Sequence, residues 1–600
     1  MTHTPTLPSW DLSDLYSGVD DPRIQQDLDQ ALAAAKVFQA DYQGKISCAT
    51  SAALVRQALD RYEDMTCRQS RPGAYASLHY SADTSDPARG ALTQKIREIG
   101  SSIATHLIFF ELELGKISQE SYDSLIQSPE LEKYRHYLEH ERKVSKHYLS
   151  ETEETILEET ANCRGRAFRR LFTEVTSRLK FPLELDGEIK MLTQSELLAR
   201  LYESDREKRK LAFESLAKVL EENSHVLTFV HNTLLHEKQT MDRLRSFDTP
   251  EADRHLTNEL PAQVVDTMVQ VCVENFGVVS DYYNLKGKLL GLSDLAHYDR
   301  YAPIQETKLE VEYSQARDIV LEAFGRFSPK LRDLTVPFFE KNWIDVPPRD
   351  GKRSGAFCAA VTPDHHPYVL LNYTGRARDV MTLAHELGHG VHDVLASKNH
   401  IFDFHPVLPL AETASTFGEM LVFDKLQDEM ESDSDKLALL CEKIEDTFAT
   451  VFRQVSMYRF EQRLHAERRH QGELKVEQIN EFWQESMQQM FGESLTLGPD
   501  HRWTWLYIPH IVNTPFYVYA YAFGELLVLS LYSRYRQEGE PFVERYFQLL
   551  AAGGSQEPVK LLSQLGIDIT QKSFWQGGCD LIKARVQAAQ AIADRLANRA

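Results

Sequence analysis

Apolar residues recur three and four positions apart through most of the chain, the spacing of helices that bury one face. Residues 21–42 (DPRIQQDLDQALAAAKVFQADY), 88–117 (ARGALTQKIREIGSSIATHLIFFELELGKI) and 437–469 (LALLCEKIEDTFATVFRQVSMYRFEQRLHAERR) are long and periodic, and each predicts a helix. Alternating patterns are sparse. LKFPLELDGEIKML, residues 179–192, predicts a hairpin around Asp186-Gly187, because a tight primed turn needs positive φ. Thr193 and Glu196 of the following TQSE then form a capping box for a new helix. We place a soft domain boundary here, between an N-terminal helical region (1–190) and a larger domain (191–600). A second β region, residues 354–375 (SGAFCAAVTPDHHPYVLLNYTG), has two apolar runs divided by a Pro-Asp-His-His-Pro turn. The fold class is therefore mainly α with a small β component.

Composition narrows the function. The chain has 600 residues, enough for more than one domain, with 42% hydrophobic and 26% charged positions, as in an ordinary folded protein. A formal net charge of −22 argues against nucleic acid or an anionic membrane as a partner. Seven scattered cysteines without a CxxC pair argue against a disulfide scaffold or a cysteine zinc site and suit a reducing cytoplasm. The opening MTHTPTLPSWDLSDLY lacks the basic and apolar regions of a signal peptide. FYVYAYAFGELLVLSLY, residues 516–532, approaches membrane length, but Glu525 and its tyrosines read better as a buried core helix.

The chemistry centres on LAHELGHGVHD, residues 383–393. On a helix His385 and His389 point within about 40° of each other on adjacent turns, so their imidazoles can converge on one metal. Glu386, one step round, can reach a water on that metal without binding it. HExxH on a helix is thus a zinc-hydrolase signature with a mechanism behind it. Gly388 and Gly390 weaken the helix without a packing reason visible in the sequence. His392 lies on nearly the same face as His389. An HxxH pair built from these two leaves Glu386 a turn away from the water, and Leu395 stands where the longer three-histidine pattern needs histidine. His392 reads as a packing or supporting residue.

A third ligand must follow, and His400, His405, Glu412 and Glu419 are the candidates. In HPVLPLAETASTFGEMLVFDKL two prolines precede a helix predicted to begin near Leu410, with Glu412, Thr416, Glu419 and Phe423 on one stripe. Ala411, Ala414 and Ser415 beside it permit close helix packing. An ordinary helix with an acidic outer face has the same pattern. Next to HExxH, the stripe points to Glu412 as a ligand and Glu419 as the group that orients a ligand histidine.

These residues carry a resemblance. TLAHELGHGVH followed by AETASTFGE resembles the oligoendopeptidase F group of zinc peptidases, relatives of thimet oligopeptidase. WDLSDLYSGVDDP, FFELELGKIS, GKRSGAFC, PYVLLNYTG and IPHIVNTPFYVYAYAFGE extend it over most of the chain, more loosely before residue 190. The resemblance implies one zinc held by His385, His389 and Glu412, with Glu386 as general base. It implies a two-lobed helical metallopeptidase with a deep substrate channel, and oligopeptides as substrates. It also carries an oxyanion-binding role to Tyr517, with His510 as second donor and Tyr521 as a further contributor. From the residues themselves, Asn513 or Thr514 can cap a helix with Pro515 in its first turn, putting Tyr517 and Tyr521 on one face and Tyr519 opposite. A buried aromatic stripe is more often core than catalytic. Two rival functions are a carboxydipeptidase, for which Arg353, Arg376 or Arg378 would hold a terminal carboxylate, and a non-catalytic peptide-binding protein with a structural metal. The intact Glu386 speaks against the latter.

Overall fold

Helix starts are set locally. Asp21, Ser51, Asp86, Ser118 and Ser150 each accept a backbone N–H two or three residues on, and each opens a helix. The computed structural model describes residues 7–185, 187–305 and 310–599. The chain is mainly α-helical, with two small sheets among the described residues. It divides into two compact units, each assembled from three chain segments.

The first unit comprises Met1–Tyr148, Leu309–Glu429 and Arg534–Ile567. Helices Pro22–Tyr42, Ala52–Ala82 and Pro87–Lys116 surround a core that includes Phe38, Leu59, Phe110 and Tyr134. Its sheet has the order β3-β5-β4, where β3 is Ile344–Asp345, β4 is Phe357–Ala359 and β5 is Tyr368–Leu370. The antiparallel pair β4-β5 joins the two apolar runs read from the sequence, whereas the parallel strand β3 went unforeseen. Two residues among prolines and charges carry no periodic signal.

The second unit comprises Leu149–Lys308, Met430–Ser533 and Asp568–Ala600. It contains the hairpin, β1 (Phe181–Leu185) against β2 (Glu188–Leu192), with Gly187 at φ +83°. Thr193 and Glu196 form the capping box that follows. The 437–469 segment is not one helix. It breaks at Val451 (φ −97°, ψ −74°) into Asp433–Thr450 and Phe452–Gln471. Phe448 and Phe452 keep the four-residue apolar spacing across the break and pack together with ring centroids 5.5 Å apart. One non-helical residue therefore leaves no trace in the pattern.

In the helix Tyr519–Glu538, residues Leu526 to Leu529 are fully buried, in keeping with a core helix. No described helix is long and apolar enough to cross a membrane.

Candidate active site

The histidine helix, Ala377–Ala396, lies against the glutamate helix, Thr413–Glu429. Glycine makes the approach possible. A Cβ on Gly388 would stand 2.4 Å from the Ala414 carbonyl oxygen and 2.6 Å from the Ser415 Cα, and one on Gly390 would enter the Phe338 ring at 2.5 Å. The packing reason that the sequence hid is thus a backbone-to-backbone contact between two helices, visible only once both are placed.

Glu412 occupies a junction rather than the body of a helix. A short helix, Leu408–Ala411, ends at Glu412 (φ −82°, ψ 2°), and the next begins at Thr413. The predicted single helix from Leu410 is therefore interrupted at the residue that matters, yet Glu412 still points at the histidines. Its Oε2 lies 3.4 Å from His385 Nε2 and 3.4 Å from His389 Nε2. The two imidazoles are nearly perpendicular, with centroids 4.9 Å apart. Among the described residues these three form the one group of histidine, cysteine and carboxylate side chains with donor atoms gathered tightly enough for a metal. Tetrahedral zinc with ligand bonds of about 2.0–2.1 Å has ligand–ligand edges of about 3.3–3.4 Å. The donor set and both measured edges fit that ion.

The surrounding groups fix the three donors. Glu419 Oε1 lies 2.5 Å from His385 Nδ1, which accounts for the tautomer that leaves Nε2 free toward Glu412. Ser415 Oγ donates to Glu412 Oε2 at 2.7 Å, a contact that sequence reading missed although the i, i+3 spacing was there to be seen. Burial works against a charged His385, but the hydrogen bond and charge of Glu419, with Glu412 and Glu386 nearby, hold its pKa up at about 9. Burial would raise Glu412, and His389 and His385 pull it down to about 2. Glu386 is buried, and burial lifts its carboxyl above the usual range against the pull of His385 and His389. Its carboxylate accepts the backbone N–H of Cys358 in β4.

His392 stays outside the donor cluster. It is buried, its pKa is pushed down to about 3 by that burial, and it hydrogen-bonds the backbone of Ala411 beside Glu412. His400 is engaged with Asp403 at 3.0 Å, and His405 Nδ1 lies 3.9 Å from Asp393. Asp393 itself, one turn beyond His389, is a half-buried carboxyl raised to about 7 by desolvation, a feature that sequence reading passed over. Arg353, Arg376 and Arg378 are all exposed.

The tyrosine segment belongs to the second unit. Its helix starts at Tyr519, not near Pro515 as the capping signal predicted. A short helix, Pro509–Asn513, ends first, and Phe516 then takes a left-handed turn at φ +59°. That turn is held from a distance, because the Phe516 N–H donates to Glu461 Oε1 at 3.1 Å. Tyr517 therefore precedes the helix. It still meets Tyr521 (centroids 5.1 Å) and stacks with His510 (5.9 Å), while the Tyr521 hydroxyl lies 3.4 Å from His510 Nε2. Tyr519 points away into the core, with its hydroxyl held by Asn258 and His255 at 2.8 and 3.1 Å.

A helical scaffold whose HExxH helix and a neighbouring glutamate offer three converging donors defines the class of metallohydrolases. The comparisons with known proteins name the family. Residues 199–581 match the model of peptidase family M3, and residues 113–181 match that of oligopeptidase F. The oligopeptidase PepF of Bacillus subtilis is 26% identical over 550 residues, covering 91% of this chain and 82% of the relative. An oligoendopeptidase F homolog of Borreliella burgdorferi is 26% identical over 595 residues, covering 97% and 98%. In fold, the chain is similar to a Chlamydophila abortus protein crystallised as a peptidase (TM-score 0.88, 24% identity, 97% and 98% covered). It is also similar to the oligoendopeptidase-F of Enterococcus faecium (TM-score 0.71, 21% identity, 96% and 98% covered). The chain belongs to peptidase family M3. It is a metalloendopeptidase of the oligoendopeptidase F type.

Proposed function

We propose that this peptidase is a zinc oligoendopeptidase that cuts internal bonds of short unstructured peptides in the cytoplasm. The observation that carries the reading is the His385–His389–Glu412 cluster at tetrahedral spacing with Glu386 on the same helix. These three residues hold the ion. When bound, zinc lowers the pKa of water and polarises the scissile carbonyl. Glu386 takes the proton of the attacking water and passes it to the leaving amine, and its raised pKa suits that exchange. Glu419 keeps His385 in the ligating tautomer, and His392 anchors the backbone next to Glu412. Tyr517 and His510 donate to the oxygen that gains negative charge, and Tyr521 holds His510. Seven free thiols agree with a reducing compartment.

Substrate pairing falls to the edge of the sheet, not to its central strand. PYVLLNY forms β5, whose Val369 and Leu371 N–H groups donate to Trp343 and Asp345 on one side, while β4 occupies the other. A central strand has no free edge. The outer edge belongs to β4, where the Cys358 backbone alternates outward and its carbonyl is left to accept, since its N–H is given to Glu386. An extended peptide added there lies beside Glu386 and gains affinity from main-chain bonds with weak side-chain selectivity.

Peptides blocked at both ends test the reading. They should be cut internally, with loss of cleavage on chelation and recovery with zinc. A requirement for a free C-terminus would favour the carboxydipeptidase reading.

A further inference from the structure

The second unit contains a cavity of about 310 Å³ whose wall includes the segment Ile508-Pro509-His510. That volume lies at the small end of ligand pockets and suits a single side chain or chain end. Most of the lining is apolar or aromatic, but two guanidiniums, Arg300 and Arg453, meet in it. Arg453 Nη1 donates to the Tyr301 hydroxyl oxygen at 2.6 Å, and Arg300 Nη2 donates to the same oxygen at 3.0 Å. Tyr202 stacks on Tyr301 at 4.8 Å.

Two cations on one phenol is an unusual use of charge, since guanidiniums drawn partly out of water are normally paired with carboxylates. The nearby acids are already engaged. Asp299 is bound by Arg206 and Arg209, and Glu445 is bound by the fully buried Lys286. Among the described residues neither Arg300 nor Arg453 has a carboxylate within ion-pair distance. Arg300 Nε is buried without a hydrogen-bond partner. The Tyr301 oxygen accepts from both; burial raises its phenol, but Arg300 and Arg453 outweigh that and hold its pKa below the ordinary value. Arg453 also stands in the first turn of its helix, which carries no acidic residue although the helix dipole favours one there. The Lys286 ammonium donates to the Arg300 carbonyl at 2.7 Å, which fixes the backbone at this point.

We propose that the Arg300–Arg453–Tyr301 cluster is a substrate subsite that binds a carboxylate of the peptide. The donors match a carboxylate's acceptors: the unused guanidinium N–H groups supply charge-assisted hydrogen bonds to its two oxygens. The carboxylate belongs either to the C-terminus or to an Asp or Glu side chain. A peptide so anchored runs along the wall that carries His510. The inference rests on the peptidase reading for the identity of the ligand, but its geometry lies wholly within the second unit. Arg353, Arg376 and Arg378 are not needed for it.

The test is calorimetric binding to the full-length, zinc-loaded Glu386→Gln protein, in which turnover is stopped. One flexible peptide is prepared as free acid and as C-terminal amide, and each form with Glu or Gln at successive positions. Removing one of these carboxylates should raise Kd at least tenfold. Loss in the amide arm identifies the chain end, and loss in the Gln arm identifies a side chain. On an Arg300→Gln or Arg453→Gln background that difference should fall below twofold, and Arg453→Lys should restore part of it. Thermal melting shows which variants are folded, and Arg300→Gln alone suffices if Arg453→Gln is not. Equal binding of acid and neutral peptides, or full discrimination by a folded arginine variant, overturns the proposal. The two readings fail separately. Cleavage by the wild-type enzyme with no arginine-dependent discrimination removes the subsite alone. Arginine-dependent discrimination without cleavage removes the peptidase reading and leaves the site.

Discussion

Replacing Gly388 by alanine tests whether the metal site is set by the separation of two helices. Alanine favours a helix interior over glycine by about 1 kcal/mol, so propensity alone predicts a more stable protein. The structure predicts the reverse. The new methyl would stand 2.4 Å from the Ala414 carbonyl oxygen, about 1 Å inside ordinary contact, and 2.6 Å from the Ser415 Cα. Both atoms are backbone, so no rotamer change relieves the clash. Overpacking of this kind costs about 1–3 kcal/mol, enough to cancel the propensity gain. The helices must part, and Glu412 moves with the Ala414 backbone. A shift of about 0.5 Å would exceed the roughly 0.2 Å tolerance of metal–ligand distances. Gly388→Ala should therefore bind zinc about tenfold or more weakly in competition with a chromophoric chelator, with turnover lost in proportion. Gly577→Ala is the control. That glycine is also inside a helix and nothing lies within 4 Å of its would-be Cβ, so it should melt higher with zinc affinity intact. If Gly388→Ala behaved like Gly577→Ala, the close helix contact would have no bearing on the site.

Further outcomes separate the roles of single groups. Glu386→Gln should retain zinc by metal analysis and lose turnover, whereas Glu412→Ala should lose zinc; a fully loaded Glu412→Ala protein would remove that ligand. Glu419→Ala, which removes the acceptor fixed on His385 Nδ1, should weaken zinc about 10–100-fold while the saturated enzyme keeps most of its kcat, and unchanged affinity would contradict it. Tyr517→Phe should lower kcat by about two to three orders of magnitude with little change in KM; unchanged kcat would return Tyr517 to packing. Glu461 is buried and raised by that burial to about 8, so between its unfolded pKa and about pH 8 the native state holds a proton that the unfolded state has released. Stability should fall as pH rises through that window, by at most about 1.4 kcal/mol per pH unit. Glu461→Gln should flatten this slope in denaturant titrations and keep an acceptor for the Phe516 N–H; an unaltered slope would assign the pH dependence to other groups.

Local features were legible in the sequence, and distant ones were not. The hairpin, the Thr193–Glu196 box and the histidine helix follow from contacts within a few residues, and they stand as read. Glu412 was singled out because a carboxylate pair beside HExxH needs a reason, and it joins the histidine cluster although the chain breaks there instead of continuing as helix. Pro515 misled because a proline at a helix start and a proline in a turn look alike. What decides is the left-handed Phe516, which is stabilised by Glu461, 55 positions away. The glycines of HELGHG looked like a cost without a cause because their neighbours are Ala414 and Phe338. The arginine pair at Arg300 and Arg453 carries no motif, since 153 positions separate two residues that meet only on Tyr301.

The central claim is that one zinc, held by His385, His389 and Glu412, serves Glu386 in cutting internal peptide bonds. It is tested most directly by titrating zinc into metal-stripped enzyme while following hydrolysis of a peptide blocked at both ends. Activity should be absent at the start, rise linearly with added zinc, and level off at one equivalent per chain. Hydrolysis by the stripped enzyme, or none at full zinc occupancy with a blocked peptide, would contradict the account.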